Sequence, residues 1–244
     1  MVGVPEEIGS RLAKAESVAV LTGAGISAES GVPTFREAQT GLWARWHPED
    51  LATPQAFQRN PRLVWDWYRW RRQLVREVEP NSGHLALVEL ERRVPKFHLS
   101  TQNVDGLHRR AGSRNLSELH GNLFRDVCAY EGTDVDLPAV QDELPPRCPR
   151  CGGPVRPGVV WFGEPLPEEE LLEAESAAAG CDIYLVVGTS GLVQPAAGLP
   201  FAARRSGAFV VEINPETTPL TESVHCSIRG LAGAVLVSLL ERLE

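Results

Sequence analysis

Short apolar runs alternate with amphipathic stretches along most of the chain. Four runs have the length of buried strands, at 18–21, 97–100, 183–187 and 208–212. Around them, apolar residues recur at helical spacing over 6–15, 61–78, 82–90, 168–179, after Pro195 and over 231–242. Strands that alternate with helices predict an α/β fold with a Rossmann-like, doubly wound, mainly parallel sheet.

Residues 124–162 have a different character. They are rich in Pro and Gly, carry three of the five cysteines and have little periodicity. We interpret them as a small inserted module within a larger domain formed by residues 1–123 and 163–244. The helices near 44–80 are candidates for the smaller unit. Cys148-Pro149-Arg150-Cys151 has the spacing of a zinc half-site. A redox C-x-x-C is the alternative, but the strand and helix that normally flank it are not evident.

A glycine-bearing turn follows the first predicted strand. Residues 23–28 form a G-x-G-x-x-A pattern, which is typical of a dinucleotide-binding turn but also occurs in ordinary strand-to-helix turns. We expect Ser27 to cap the following helix. An ordinary dehydrogenase would place an acidic residue about 20 positions later, at the end of a second strand. Glu49 and Asp50 lie instead in a Trp- and Pro-rich segment predicted to be a loop.

Polar residues follow the other predicted strands. Gln102-Asn103, Gly188-Thr189-Ser190 and Asn214 each come where a strand ends. Because the carboxyl ends of parallel strands meet at one edge, we expect these residues to share a crevice with the glycine turn. Taken alone, His120 would be a structural histidine and Asp105-Gly106 a simple turn.

Five motifs occur in a particular order: 23–36, 101–108, Glu118-Leu119-His120-Gly121-Asn122, Gly188-Thr189-Ser190 and Glu212-Ile213-Asn214. In this order they resemble the sirtuins, a family of NAD-dependent protein lysine deacylases, from about residue 17 to 235. The resemblance implies NAD as cofactor, acylated-lysine proteins as partners and a structural zinc ion.

The resemblance also implies roles for individual residues. His120 would be the general base, and Asn103 and Asp105 would hold the nicotinamide side of the cofactor. The positions matched to the cofactor site are Gly23, Ala24, Gly25, Ser27, Glu29, Thr34, Phe35, Arg36, Trp43, Gln102, Asn103, Val104, Asp105, Gly188, Thr189, Ser190, Asn214, Pro215, Glu216 and Ala232. The segment Val159-Val160-Trp161-Phe162-Gly163-Glu164 resembles the strand that pairs with the substrate backbone.

The mechanism implied by the resemblance uses no protein nucleophile. The acyl-lysine carbonyl oxygen attacks C1′ of the nicotinamide ribose, and nicotinamide leaves. His120 then activates a ribose hydroxyl, and free lysine and acylated ADP-ribose are released. The protein positions the reactants and excludes water.

One position departs from the family's zinc pattern. The family has two C-x-x-C pairs, but the first pair reads Cys128-Ala129-Tyr130-Glu131 here. The expected ligands are therefore Cys128, Cys148 and Cys151, with Glu131 as a poorer fourth ligand. Weaker zinc binding is the consequence.

Tyr68 and Arg71 lie three residues apart, so a helix brings them to one face. A guanidinium beside a phenol suits a carboxylate. The alternative is a solvated arginine face, to which we assign Arg69, Arg72 and Arg76. A Tyr-x-x-Arg here resembles the sirtuin subgroup that removes succinyl and malonyl groups, and a preference for those groups over acetyl is predicted.

The amino-acid composition limits the expected classes of binding partner and the expected location. The 244 residues carry a net charge of −8, which argues against non-specific nucleic-acid binding. We interpret this charge mainly as a contribution to solubility, with a preference for basic partners as the alternative. The sequence has no run resembling a membrane span or a signal peptide, so we expect a cytoplasmic protein without membrane binding. Two alternatives to deacylation stay open: mono-ADP-ribosyl transfer, and a non-catalytic NAD- or ADP-ribose-binding module.

Overall fold

The computed structural model describes residues 3–33, 46–137 and 143–243. Its strands are β1 (Ser17–Thr22), β2 (Lys96–Thr101), β3 (Leu116–Glu118), β4 (Gly121–Cys128), β5 (Val155–Val159), β6 (Ile183–Val187), β7 (Phe209–Asn214) and β8 (Cys226–Arg229). Its helices are α1 (Glu6–Lys14), α2 (Gly25–Ala28), α3 (Pro48–Leu51), α4 (Pro54–Arg59), α5 (Pro61–Arg76), α6 (Ser82–Arg93), α7 (Leu107–Ala111), α8 (Glu168–Gly180), α9 (Leu199–Arg205) and α10 (Ala232–Glu241). Short 3₁₀ turns cover Ala196–Gly198 and Thr221–Ser223.

Within the described ranges, the main sheet has six strands in the order β3-β2-β1-β6-β7-β8, and every neighbouring pair is parallel. The strand order reverses between β1 and β6, which opens a crevice beyond their carboxyl ends. The predicted doubly wound α/β class is therefore confirmed. The short strands β3 and β8 at the two edges were not predicted.

Helices cover both faces of the main sheet because β1 is apolar on both sides. Val18 and Val20 pack in one core with α1, α6 and α10, whereas Ala19 and Leu21 pack in another with α8 and α9. A strand buried on both faces has a continuous apolar sequence, which explains why the run at 18–21 shows no alternation.

A third apolar core joins helices α3, α4 and α5 to the antiparallel pair β4 and β5. The Trp65 indole N–H donates to the Val155 carbonyl at 2.7 Å and ties the helices to this small sheet. Two strands therefore lie partly or wholly in residues 124–162, where little periodicity was found. No helix in the described parts of the chain has the length and apolar character needed to cross a membrane.

Helix α5 buries one arginine that was assigned to its solvated face. Its buried residues include Tyr68 and Arg72, while Trp70 is only partly buried. Assigning Arg72 to a solvated face was wrong, because its guanidinium pairs with Asp126 at 2.7 Å and donates to two backbone carbonyls of β4. Those acceptors lie 51 to 54 positions away in the sequence, so helical spacing alone could not identify them.

Candidate functional site

The glycine turn after β1 packs directly against the loop after β6. The backbone N–H of Gly25 donates to the Gly188 carbonyl at 2.8 Å. A Cβ atom at Gly25 would lie 2.7 Å from the Gly188 Cα, and Gly188 itself has φ of +61°. The small residues are thus required for loop-to-loop contact as well as for any approach of a phosphate. Helix α2 begins at Gly25 with Ala24 as its N-cap, so the prediction that Ser27 is the cap was wrong.

Polar contacts join the ends of β2, β6 and β7. The Gln102 side-chain amide donates to the Thr189 hydroxyl at 2.9 Å, and the Asn214 amide donates to the Thr189 carbonyl at 2.9 Å. Asn214 in turn accepts from the Glu216 N–H at 3.2 Å. The predicted strand-end residues therefore meet at one edge of the sheet, with Ser190 exposed beside them.

Two further residues matched to the cofactor site, Glu29 and Ala232, lie near the start of α10. The Glu29 carboxylate accepts from the Gly233 N–H at 2.7 Å, at the start of α10. Ala232 is buried there next to Gly233. This contact spans 204 positions of the sequence and joins the glycine turn to the last helix.

His120 follows the edge strand β3 and is mostly buried. Its Nδ1 lies 2.9 Å from the Gln102 carbonyl oxygen. A carbonyl only accepts, so Nδ1 carries the hydrogen and Nε2 has a free lone pair in the neutral ring. Burial lowers the pKa of His120, although the bond to Gln102 acts in the opposite direction. The ring is therefore neutral near pH 7 and able to accept a proton.

Asp105, Ser27 and Asn103 form a buried chain of hydrogen bonds. The Ser27 hydroxyl donates to Asp105 at 2.8 Å and accepts from the Asn103 amide at 3.1 Å. Asp105 also accepts from the Leu107 N–H at 2.9 Å. Burial raises the pKa of Asp105, against the effects of these donors and of the Arg71 charge. Such a fixed polar group is suited to orienting a ligand amide.

Tyr68 and Arg71 lie on the same face of α5, as predicted. The Tyr68 hydroxyl accepts from the Trp161 indole N–H at 3.0 Å, and the Arg71 guanidinium carbon lies 6.0 Å from the Tyr68 ring centroid. Burial raises the pKa of Tyr68 and lowers that of Arg71. Asp105 also acts on the Arg71 pKa, which connects this pair to the buried chain around Ser27.

The segment after β5 is not a strand along its whole length. Val160 donates its N–H to the His120 carbonyl at 2.9 Å, which brings the end of β5 to the histidine. Trp161 through Glu164 then form a tight turn, closed by the Glu164 N–H on the Trp161 carbonyl at 3.0 Å, with Gly163 at φ of +88°. Phe162 is exposed on this turn. The expected strand over 159–164 is therefore wrong beyond Val159, because the chain turns at Gly163.

The predicted metal ligands lie together. One ligand atom from each of Cys128, Glu131, Cys148 and Cys151 falls within 4.8 Å of the others, and the Cys128 and Cys151 sulfurs are 3.4 Å apart. Tetrahedral zinc with Zn–S bonds of about 2.3 Å needs ligand atoms about 3.8 Å apart, so the set fits this ion.

The thiols of this cluster have different acidities. Backbone N–H groups of Cys151 and Arg150 lower the pKa of Cys148 to about 7. The Gly153 N–H favours the Cys151 thiolate, but the neighbouring thiols and burial outweigh it and raise that pKa to about 11. Arg150 also pairs with Glu131 at 2.9 Å and competes with a metal for this carboxylate.

Comparison with known proteins agrees with this geometry. The model of the Sir2 family matches residues 23–195. The chain belongs to the Sir2 family. Its relatives include proteins named NAD-dependent protein deacylase from a strain of Thermus thermophilus, 57% identical over 94% of this chain and 91% of that protein, and from Aquifex aeolicus, 53% identical over 93% and 95%. The predicted sirtuin resemblance is confirmed.

Solved structures of Sir2 proteins have the same fold. A Sir2 homolog–NAD complex has a TM-score of 0.93 and 45% identity, covering 99% of this chain and 94% of that one. A Sir2–p53 peptide–NAD+ complex has a TM-score of 0.85 and 29% identity, covering 96% of each chain. The Rossmann-like class of this Sir2-family chain is therefore established by both topology and likeness.

Four positions matched to the cofactor site, Thr34, Phe35, Arg36 and Trp43, lie outside the described residues of this Sir2-family chain.

Sequence reasoning also missed two buried histidines behind the site. His84 Nε2 lies 3.4 Å from the Ser27 hydroxyl, and the His84 and His108 ring centroids are 4.8 Å apart. The only local signal is that His84 is the third residue of α6 and completes the capping box of Asn81.

Proposed function

We propose that this Sir2-family chain is an NAD-dependent protein lysine deacylase that prefers succinyl and malonyl groups to acetyl groups. The observation that carries the proposal is the contact of His120 with the Gln102 carbonyl, which leaves Nε2 as a base at the edge where four strand ends converge. The names of relatives more than 50% identical over most of the chain support the general activity.

NAD held at this edge would supply the ribose carbon for the acyl oxygen and nicotinamide as the leaving group. His120 accepts a proton at Nε2, while its bond to Gln102 keeps the ring in the required tautomer. Asp105 and Asn103 orient the nicotinamide side, because Ser27 holds both of them. Burial of these groups excludes water from the reacting atoms.

The rest of the cofactor assignment follows the edge of the sheet. The glycine turn, the loop at 188–190 and Asn214 surround the adenosine half in this proposal, and their mutual hydrogen bonds support it. Glu29 and Ala232 belong to the same assignment, and the bond of Glu29 to the Gly233 N–H at the start of α10 supports this. The remaining positions of the assignment are Val104, Pro215, Glu216 and the four that lie outside the described residues.

The acyl preference rests on Tyr68 and Arg71. Trp161 donates to the Tyr68 oxygen, so the phenol hydrogen is free to be donated to a carboxylate. A guanidinium in a partly desolvated position interacts better with an acidic acyl group than with a neutral one. Both features support selection of succinyl and malonyl groups.

Acylated proteins approach, in this proposal, as an extended peptide beside Val160 and the turn of Phe162, Gly163 and Glu164. The Sir2–p53 peptide–NAD+ complex among similar structures supports a peptide ligand. Exposed Phe162, Leu192 and Val193 offer apolar surface for such a segment. Leu192 and Val193 follow Thr189 in the chain. The Thr189 hydroxyl accepts from the Gln102 side chain, and the Gln102 carbonyl contacts His120.

We further propose a zinc ion held by Cys128, Cys148 and Cys151, with Glu131 as the weak ligand.

Residues 124–162 then form the zinc-bearing insert, and residues 1–123 and 163–244 form the NAD-binding unit. The core shared by α3, α4 and α5 with β4 and β5 supports grouping the helices of 44–80 with the insert. None of the five cysteines, all of which lie in the described residues, forms a disulfide, which supports a reducing, cytoplasmic location.

Nicotinamide release tests the activity. Purified protein is incubated with NAD and with matched succinyl-, malonyl-, acetyl- or unmodified-lysine peptides, and both products are quantified. Release that requires an acylated peptide and yields deacylated peptide is expected. Release with ADP-ribose attached to an unmodified protein would favour ADP-ribosyl transfer, and binding of NAD without release would favour a binding module.

A further inference from the structure

Arg156 is a mostly buried arginine on β5, outside the residues assigned to the cofactor, acyl and metal sites. Its side chain is 14% exposed, and two of its nitrogens contact the Glu164 carboxylate at 2.5 and 2.9 Å. Its Nη2 also donates to the Val159 carbonyl at 2.7 Å. This paired contact ties the end of β5 to the turn that follows it.

The same arginine holds the indole of Trp161. The Arg156 guanidinium carbon lies 3.4 Å from the Trp161 ring centroid, and the Phe57 ring packs against Trp161 with its centroid 5.3 Å away. The Trp161 backbone N–H donates to Glu164 at 2.8 Å. Ring and backbone of this tryptophan are therefore both fixed by the Arg156–Glu164 pair.

The fixed indole determines how Tyr68 is bonded. Indole N–H is only a donor, so at 3.0 Å it occupies an acceptor position of the Tyr68 oxygen. The phenol hydrogen must then be directed elsewhere. In the acyl site proposed above, the acceptor is the carboxylate of the acyl group.

We propose that Arg156 is a positioning residue for acyl specificity: it acts through Trp161 to fix the direction in which Tyr68 donates to an acidic acyl group. The inference rests on the proposed deacylase function. A neutral acetyl group has no carboxylate at this position, so its removal does not depend on the direction of the phenol hydrogen.

The arrangement is better suited to orientation than to stability. Among the described residues, the Arg156 Nε is buried with no hydrogen-bond partner. A buried donor without an acceptor lowers stability, and a buried ion pair is often no more stable than apolar packing. Its close contact with the Trp161 ring and its paired bonds to Glu164, by contrast, restrict the geometry strongly.

Arg156→Met tests the role, because methionine keeps an apolar contact with the indole and removes the paired bonds. Because Arg156 also holds the turn beside the peptide, both peptides can lose affinity; we expect KM for a succinyl peptide to rise about tenfold more than KM for the matched acetyl peptide. Arg156→Lys, which keeps one charge contact, should restore part of the succinyl KM. Equal losses for both peptides, in proteins with a normal melting transition, would make Arg156 merely structural. If the methionine variant does not fold, Arg156→Lys carries the same comparison.

A double-mutant cycle with Tyr68→Phe provides the sharper test. If Arg156 acts through the phenol hydroxyl, adding Arg156→Met to Tyr68→Phe should change the succinyl-to-acetyl ratio by less than about twofold. Additive effects on that ratio would overturn the proposal. Failure of the function itself looks different: wild-type protein would then fail to release nicotinamide, or would prefer acetyl peptide, before any variant is compared.

Discussion

Replacement of Arg71 by Met is the most direct perturbation of the proposed acyl site. Two unit charges 4 Å apart attract by about 4 kcal/mol at an effective dielectric constant of about 20. Burial already lowers the pKa of Arg71, so part of this attraction offsets desolvation. A net loss of about 2–3 kcal/mol corresponds to about a 30- to 150-fold decrease in kcat/KM for a succinyl or malonyl peptide.

The assay compares kcat/KM for matched succinyl, malonyl and acetyl peptides at saturating NAD. Deacetylation by Arg71→Met should be spared or improved, because no acyl carboxylate is involved and a desolvated charge is removed. Arg69→Met is the matched control, since Arg69 is an exposed arginine of the same helix. Equal decreases for acidic and neutral acyl groups would refute the reasoning and assign Arg71 a structural role.

Three other predictions follow from the site and its surroundings. His120→Ala should reduce acyl transfer by about 10²–10⁴-fold, while NAD affinity, measured by calorimetry, stays within about threefold. In the wild type, burial lowers the His120 pKa, so the neutral base persists on acidification. The acid limb of the pH profile of kcat should therefore lie below about pH 6.5. Activity of the variant within a few-fold of wild type would contradict the assignment. Glu131→Cys should hold zinc against a chelator that strips the wild-type protein, as measured by elemental analysis, and equal resistance would mean that the carboxylate is an adequate ligand. Arg72→Met should lower the unfolding free energy by about 3–5 kcal/mol and Tm by about 6–20 °C, because a mostly buried ion pair is broken. An unchanged melting curve would show that the pair contributes no stability.

Local pattern was sufficient for much of the fold. The apolar run at 18–21 and its counterparts predicted strands that the structure contains. The edge strands β3 and β8 were missed because three or four residues carry too little periodicity. Ser27 was misread for a related reason: its hydroxyl meets a buried carboxylate from another strand end, which local sequence does not reveal.

The motif residues of the candidate site were identifiable from the sequence, since parallel topology brings strand ends to one edge whatever the loops between them. Tertiary structure decided their bonding. Trp161 reaches Tyr68 across 93 positions, and Arg72 pairs with Asp126 across 54. Periodicity determines which side of a helix is apolar, but whether a polar side chain can be buried depends on an acceptor supplied by a distant segment. That acceptor comes into contact with the polar side chain only once the chain has folded.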